Sequence, residues 1–228
     1  MLSLNFITIH PGLIHAYESF GVFKSAQEKG LATISAIDLR QFSGNSYGSV
    51  DDRPYGGGDG MIMRPGPLAE AIQSLPTAPF VILTSPGGTP WRHAFSLNLS
   101  KVDRPIVFIC ARFGGVDQRF IDKYVHAEYS IGDFVLSGGE LPSLIIADSI
   151  LRQIPGALGN EDSAVMDSFT SHNAGRLEHP VYTRPQVFEG QKVPSDLTSG
   201  DHAKIASWKS SEALRRTILK RPDLLQPH

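Results

Sequence analysis

FVILTSPGG (residues 80–88) and IVFICARFGG (residues 106–115) follow one plan: a short run of β-branched and aromatic residues that ends in small residues and glycine. Neither run alternates apolar with polar side chains. A strand that is apolar throughout is covered on both faces, which is the condition of a parallel sheet inside an α/β domain. The neighbouring sequence agrees. LSLNFITI (2–9) and LATISAIDL (31–39) read as two more strands, and LIHAYESFGVFKSAQEKG (13–30) between them has helical spacing ending at Gly30. PGPLAEAIQSL (65–75) is a second helical candidate. This alternation predicts an α/β sheet with helices on both sides.

The clearest helix is ELPSLIIADSILRQI (140–154), with Pro142 in its first turn and Pro155-Gly156 stopping it. Leu141, Ile145, Asp148 and Arg152 fall near one stripe, while Leu144, Ile146, Ile150 and Leu151 supply apolar bulk. Beyond it, GALGNEDSAVMDSFTSHNAG (156–175) is small and polar and reads as a linker. HPVYTRPQVFEGQKVPSDLTSGD (179–201) reads as an extended, irregular path. It leads to a final helix for which Ser199 or Asp201 is the expected cap.

At 228 residues, 41% hydrophobic and 19% charged, the composition is that of a globular chain with a substantial core. The single cysteine, Cys110, excludes a disulfide framework and a cysteine zinc site. An intracellular protein is the simplest expectation. No apolar run reaches the roughly 18 residues that a bilayer span needs. The formal net charge of −2 is unevenly spread: residues 201–228 carry +3 and the preceding 200 carry −5. A basic segment on an acidic body is a hint of a polyanionic partner.

Glycine gathers in YGGGDG (55–60), SPGG (85–88), FGG (113–115) and SIGDFVLSGGELP (130–142). Two of these clusters directly follow expected strands, and ligands of open α/β sheets bind outside the carboxyl ends of strands. The ligand is constrained by what is missing. Neither G-x-x-x-x-G-K-[ST] nor a G-x-G-x-x-G after a strand is present, so the phosphate-cradling loops are absent. The histidines show no H-E-x-x-H spacing, and no G-x-S-x-G supports a nucleophilic serine.

Five longer motifs now combine: VDDRPYGGGDGM (50–61), SIGDFVLSGGELP (130–142), RQIPGALGNEDSAVMDSF (152–169), HPVYTRPQVFEG (179–190) and SGDHAKIASW (199–208). Together, in this order, the sequence closely resembles the bacterial TrmD-type tRNA (guanine-N1)-methyltransferases of the trefoil-knotted SPOUT class. The resemblance runs from about residue 50 to the end. It implies a SPOUT knotted domain that binds S-adenosylmethionine over residues 1–158, an interdomain linker over 159–172 and a small, mainly helical tRNA-binding domain over 173–228. The enzyme would be cytoplasmic and homodimeric, with tRNA as partner and neither membrane nor DNA involved. The methyl group would pass to N1 of the guanosine at position 37, immediately 3′ of the anticodon.

The resemblance also assigns residues. Three loops would hold a bent S-adenosylmethionine: Ser85, Pro86 and Gly88; Ala111, Phe113 and Gly115; and Ser130, Ile131, Gly132, Asp133, Phe134, Val135, Leu136, Gly138, Gly139 and Pro142. Asp167 matches the family's catalytic base and Arg152 the arginine that stabilises charge on guanine O6. In each dimer the cofactor loops of one subunit would face the aspartate and carboxyl-terminal domain of the other. Lys204, Lys209, Arg215, Arg216 and Lys220 are the RNA-binding candidates. Several positions depart from the usual pattern, among them Ala111, which stands where glycine is usual, Gly114, where a carboxylate tied to metal and substrate handling is usual, GNSYGS (44–49), where His, Lys or Arg is frequent, and Asp59, which adds a charge inside the glycine loop. Magnesium is therefore an open second cofactor, and no protein metal site is expected. The alternative reading is a SPOUT-fold RNA-binding protein with impaired catalysis.

Overall fold

The computed structural model describes residues 1–159 and 166–226. The chain divides into two compact units, Met1–Gly159 and Asn160–His228.

The first unit is an α/β domain. Its strands are β1 (Leu2–Thr8), β2 (Ala32–Asp38), two short strands β3 (Asp51–Asp52) and β4 (Ile62–Met63), β5 (Phe80–Pro90), β6 (Ile106–Ile109) and β7 (Ala127–Ser130). Its helices are α1 (Pro11–Glu18), α2 (Gly21–Glu28), α3 (Pro65–Gln73), α4 (His93–Leu99), α5 (Gln118–Tyr124) and α6 (Glu140–Leu151). Five strands form one sheet in the order β2-β1-β6-β5-β7, and every pairing in it is parallel. This is the parallel sheet that the apolar runs predict.

Strand periodicity sorts the core into two layers. Leu4, Phe6, Ile106 and Phe108 pack on one face with Ile14 of α1, Phe23 of α2 and Leu144 of α6. Ile7, Val107, Ile109, Val81 and Leu83 pack on the other with Leu68 of α3 and Phe120 of α5. Phe6 and Phe108, opposite one another in the β1–β6 register, stack with ring centroids 5.0 Å apart. Both faces are therefore closed by helices, and the functional surface must lie at a sheet end or a loop rim.

Two features differ from the sequence reading. The single helix expected over 13–30 is two, α1 and α2, because Gly21 takes φ +54° and turns the chain between them. The strand expected at FVILT continues through SPGG. Thr84 and Thr89 both pair with Tyr129, so Ser85–Gly88 are extruded as a bulge within β5. SIGDFVLSGGELP contains no strand beyond Ser130, the last residue of β7. Phe134, Val135 and Leu136 are exposed, Val135 to 84%, while Ile131 packs against the core.

The second unit holds a hairpin of β8 (Val187–Phe188) and β9 (Gln191–Lys192), then α7 (His202–Lys220). Glu189 and Gly190 both have positive φ, the backbone of a type I′ turn, which matches the twist of a two-residue hairpin loop. Of the two expected caps for the last helix, Asp201 is the one used: its carboxylate accepts from the backbone N–H of Ala203 and Lys204. The buried Thr217 of α7 accepts a hydrogen bond from Leu177 N at 3.0 Å, and Trp208 lies against His179 and Tyr182. These contacts fix the proline-rich segment along the helix. Residues 160–165 of the expected linker lie outside the described residues.

Candidate functional site

The loops that follow β6 and β7 and the bulge in β5 emerge from three neighbouring strands of the sheet, at their carboxyl ends. They enclose a cavity of about 320 Å³, within the size range of small-molecule sites. Every cofactor residue expected from the resemblance lines it except Gly88 and Asp133. Thr84 and Tyr129 join them from the strand ends, and Arg112, Gly114 and Ser137 complete the loops. The wall is largely apolar, with Phe113, Ile131, Phe134, Val135, Leu136 and Pro142 among its residues. Asp133 is exposed on the same loop. Gly88 serves the sheet: a Cβ there would stand 2.5 Å from Tyr129 N, so the bulge returns to β7 only because that residue has no side chain.

The loop after β7 lies directly on the loop after β6. Gly139 N donates to Ala111 O at 2.7 Å. A Cβ on Gly139 would lie 2.6 Å from Ala111 N and 2.9 Å from Thr84 Oγ1. Glycine is therefore required here by close approach of two backbones.

Beneath these loops is a charged pair that sequence reasoning did not single out. Glu140, at the start of α6, is 1% exposed. Its Oε1 accepts from the Thr8 hydroxyl at 2.7 Å and its Oε2 from Arg112 Nε at 3.1 Å. Arg112 Nη1 reaches on to the Ser137 carbonyl at 3.0 Å. The carboxylate also sits at a helix N-terminus, where negative charge is favoured. Nearby, the Cys110 thiol is pushed far above its ordinary range by burial and by the Glu140 charge, which disfavours its thiolate form.

Arg152 belongs to the first unit and Asp167 to the second. Arg152 is the C-cap of α6, its N–H bonded to Asp148 O. Burial raises the Asp148 carboxyl above its usual range, and the Arg152 charge opposes that shift. Asp167 is half-buried at the head of a tight turn. Its carbonyl accepts from Thr170 Oγ1 at 2.9 Å and from Asn173 Nδ2 at 2.8 Å. Phe169 and Ala174 take positive φ within the same turn, and Phe169 N donates to Arg176 O. The backbone that carries Asp167 is thus fixed from several sides.

The five basic candidates all lie on α7. Lys204 is 3.8 Å from Asp201, Arg215 is paired with Glu212 at 2.7 Å, and Arg216 Nη1 donates to Glu178 O. Among the described residues no group of three His, Cys, Asp or Glu side chains is arranged to hold a metal ion.

Comparison with known proteins adds the decisive observation. A family model described as tRNA (Guanine-1)-methyltransferase TrmD matches residues 2–227. The chain is 42% identical over 231 residues to the tRNA (guanine-N(1)-)-methyltransferase of Bacillus subtilis strain 168, covering 100% of this chain and 93% of that protein. It is 44% identical over 227 residues to the enzyme of that name from Dictyoglomus turgidum, covering 99% of this chain and 91% of the relative. The Geobacillus kaustophilus enzyme is 43% identical over 230 residues, with 100% and 93% covered.

Proposed function

The chain belongs to the TrmD family of tRNA (guanine-N1)-methyltransferases, and on that premise we infer that it moves a methyl group from S-adenosylmethionine to N1 of guanosine 37 in tRNA. The observation that carries the inference is the match of the whole chain to that family. The cavity supports the choice of cofactor: it is mostly apolar, built from backbone and hydrophobic side chains, and its glycines let the chain close on a ligand. Its residues fit an adenosine and a methionine chain better than a nucleotide triphosphate.

S-adenosylmethionine supplies an electrophilic methyl group on a sulfonium. Guanine N1 carries a proton at neutral pH, so the methylated base must surrender it. Asp167 takes that proton, which requires its carboxylate within hydrogen-bond reach of N1. As the proton leaves, negative charge grows on O6, and Arg152 stabilises it with its guanidinium. The cavity loops hold the donor in place and keep water from the methyl group. Arg152→Ala is expected to lower the rate of the chemical step by about a hundredfold, the usual size of one lost charge-stabilising donor. Single-turnover transfer at saturating S-adenosylmethionine and tRNA measures this directly.

The reading extends to assembly. The active site is shared in a homodimer, with Asp167 and α7 of one subunit completing the cavity of the other. Leu141 and Ile145 support this, since they leave an apolar stripe of α6 54% and 52% exposed. The loops after β6 and β7 form the trefoil knot, a reading supported by their mutual contact at Ala111 and Gly139. Residues 1–158 are the cofactor domain, 159–172 the linker and 173–228 the tRNA-binding domain. Lys204, Lys209, Arg215, Arg216 and Lys220 contact phosphates. The enzyme acts in the cytoplasm; among the described residues no helix is long and apolar enough to cross a membrane.

The test is transfer of labelled methyl groups from S-adenosylmethionine to two transcripts that differ only in G37 or A37, each with magnesium or with a chelator. Label on the G37 transcript alone supports the reading. Equal label on both, or none on either, contradicts it. The chelator arm decides the magnesium requirement.

A further inference from the structure

We propose that Arg112 is a positioning residue for S-adenosylmethionine, which acts by locking the loop Ile131–Gly138 onto the buried Glu140. The proposal rests on the reading of the cavity as the cofactor site.

Glu140 is buried, and a carboxylate taken out of water is costly without a partner charge beside it. Arg112 supplies it through Nε, at 3.1 Å from Oε2 and 3.3 Å from Oε1. The same guanidinium uses Nη1 to hold the Ser137 carbonyl at 3.0 Å. One planar fork therefore ties the first turn of α6 to the cavity loop, a geometry that a lysine ammonium lacks. Thr8, at the end of β1, completes the anchorage from the centre of the sheet through its hydroxyl on Glu140.

The loop rests on this pair with no spare room. A Cβ on Gly138 would collide with Arg112 Nε and lie 2.6 Å from Glu140 Oε2. The height of Gly138 is thus set by the ion pair, and with it the path of Phe134, Val135 and Leu136, whose side chains line the cavity. These residues are exposed and have no core to hold them. Arg112 is itself only 20% exposed at its side chain, so water competes weakly for the pair. The pair is where the rigid sheet passes its geometry to a loop that otherwise has few anchors.

The test must separate positioning from folding. Removing Arg112 alone would strand a buried charge, so the informative protein is the double variant Arg112→Met with Glu140→Gln, which leaves none. Full-length wild type and variant are titrated calorimetrically with S-adenosylmethionine, and their thermal unfolding is compared. The expected result is a midpoint close to wild type with affinity lowered about tenfold or more. In turnover the loss falls on KM for S-adenosylmethionine, with kcat at saturation nearly retained. Wild-type affinity in a variant of wild-type stability overturns the proposal. Should the double variant unfold, Arg112→Lys decides: lowered affinity at retained midpoint supports positioning, and unchanged affinity overturns it. A wild-type protein that binds no S-adenosylmethionine overturns the reading of the cavity itself, and so is distinct from failure of the Arg112 proposal.

Discussion

Asp167→Ala is expected to leave S-adenosylmethionine binding close to wild type while lowering single-turnover methyl transfer by about 10²- to 10⁴-fold, the range of a lost general base. The physical demand is specific. A methyl group cannot be left on a guanine N1 that keeps its proton without placing a positive charge on the base. The backbone carbonyl of Asp167 accepts from Thr170 and Asn173, and these two supports of the turn do not involve the carboxylate. The thermal midpoint of the variant, measured beside its transfer rate, separates a loss in chemistry from a loss in folding. In the variant the remaining rate should rise with pH, because a guanine that has already lost its N1 proton no longer needs the carboxylate. A variant that keeps its rate within about tenfold of wild type removes Asp167 from the base role.

Gly139→Ala is expected to have the largest effect on the cavity and a severe one on stability. The added methyl would lie 2.6 Å from Ala111 N, 2.9 Å from Cys110 Cα and 2.9 Å from Thr84 Oγ1. Two of these atoms are backbone and the third belongs to a buried side chain, so none yields easily. The loop must lift, and the Gly139–Ala111 hydrogen bond that joins the two cavity loops is lost with it. Overpacking of this kind costs about 3 kcal/mol, which lowers the melting temperature of a chain this size by roughly 6–12 °C. S-adenosylmethionine affinity should fall below detection in calorimetry. Gly159→Ala is the control, since nothing among the described residues lies within 4 Å of a Cβ there. Unchanged affinity in Gly139→Ala would show that the two loops do not form one binding surface.

Much of the first unit was legible because its signal is local. The apolar runs at 80–84 and 106–110 identify buried parallel strands on their own, and the pattern over 140–154 identifies α6. Strand β7 was not legible: AEYS is four residues long and half polar, and it becomes a strand only by pairing with β5. The hairpin at 187–192 was missed for the same reason, since each of its strands has two residues and its turn is Glu-Gly rather than the commoner Asn-Gly. SPGG looked like a loop after a strand, whereas the chain bulges out and rejoins the same neighbour.

The candidate site shows the same division. Glycines at strand ends mark where a ligand approaches, and that rule alone points to two of the cavity's walls. The support under those walls left no trace in local sequence. Thr8 and Glu140 are 132 residues apart, and Glu140 reads as an ordinary acidic first-turn residue until the fold buries it. Asp167 is the extreme case. Within AVMDSF nothing distinguishes it from any other acidic residue of a polar segment, and only the family's pattern gives it a role.

The central claim is that the methyl group goes to N1 of guanosine 37. The most direct measurement is mass spectrometry of nuclease digests of a tRNA incubated with the protein and S-adenosylmethionine, with the modified nucleoside identified against authentic standards. The account predicts 1-methylguanosine in the fragment that spans position 37 and in no other. A methyl group on a ribose 2′-oxygen, on another guanine atom or at another position would contradict it.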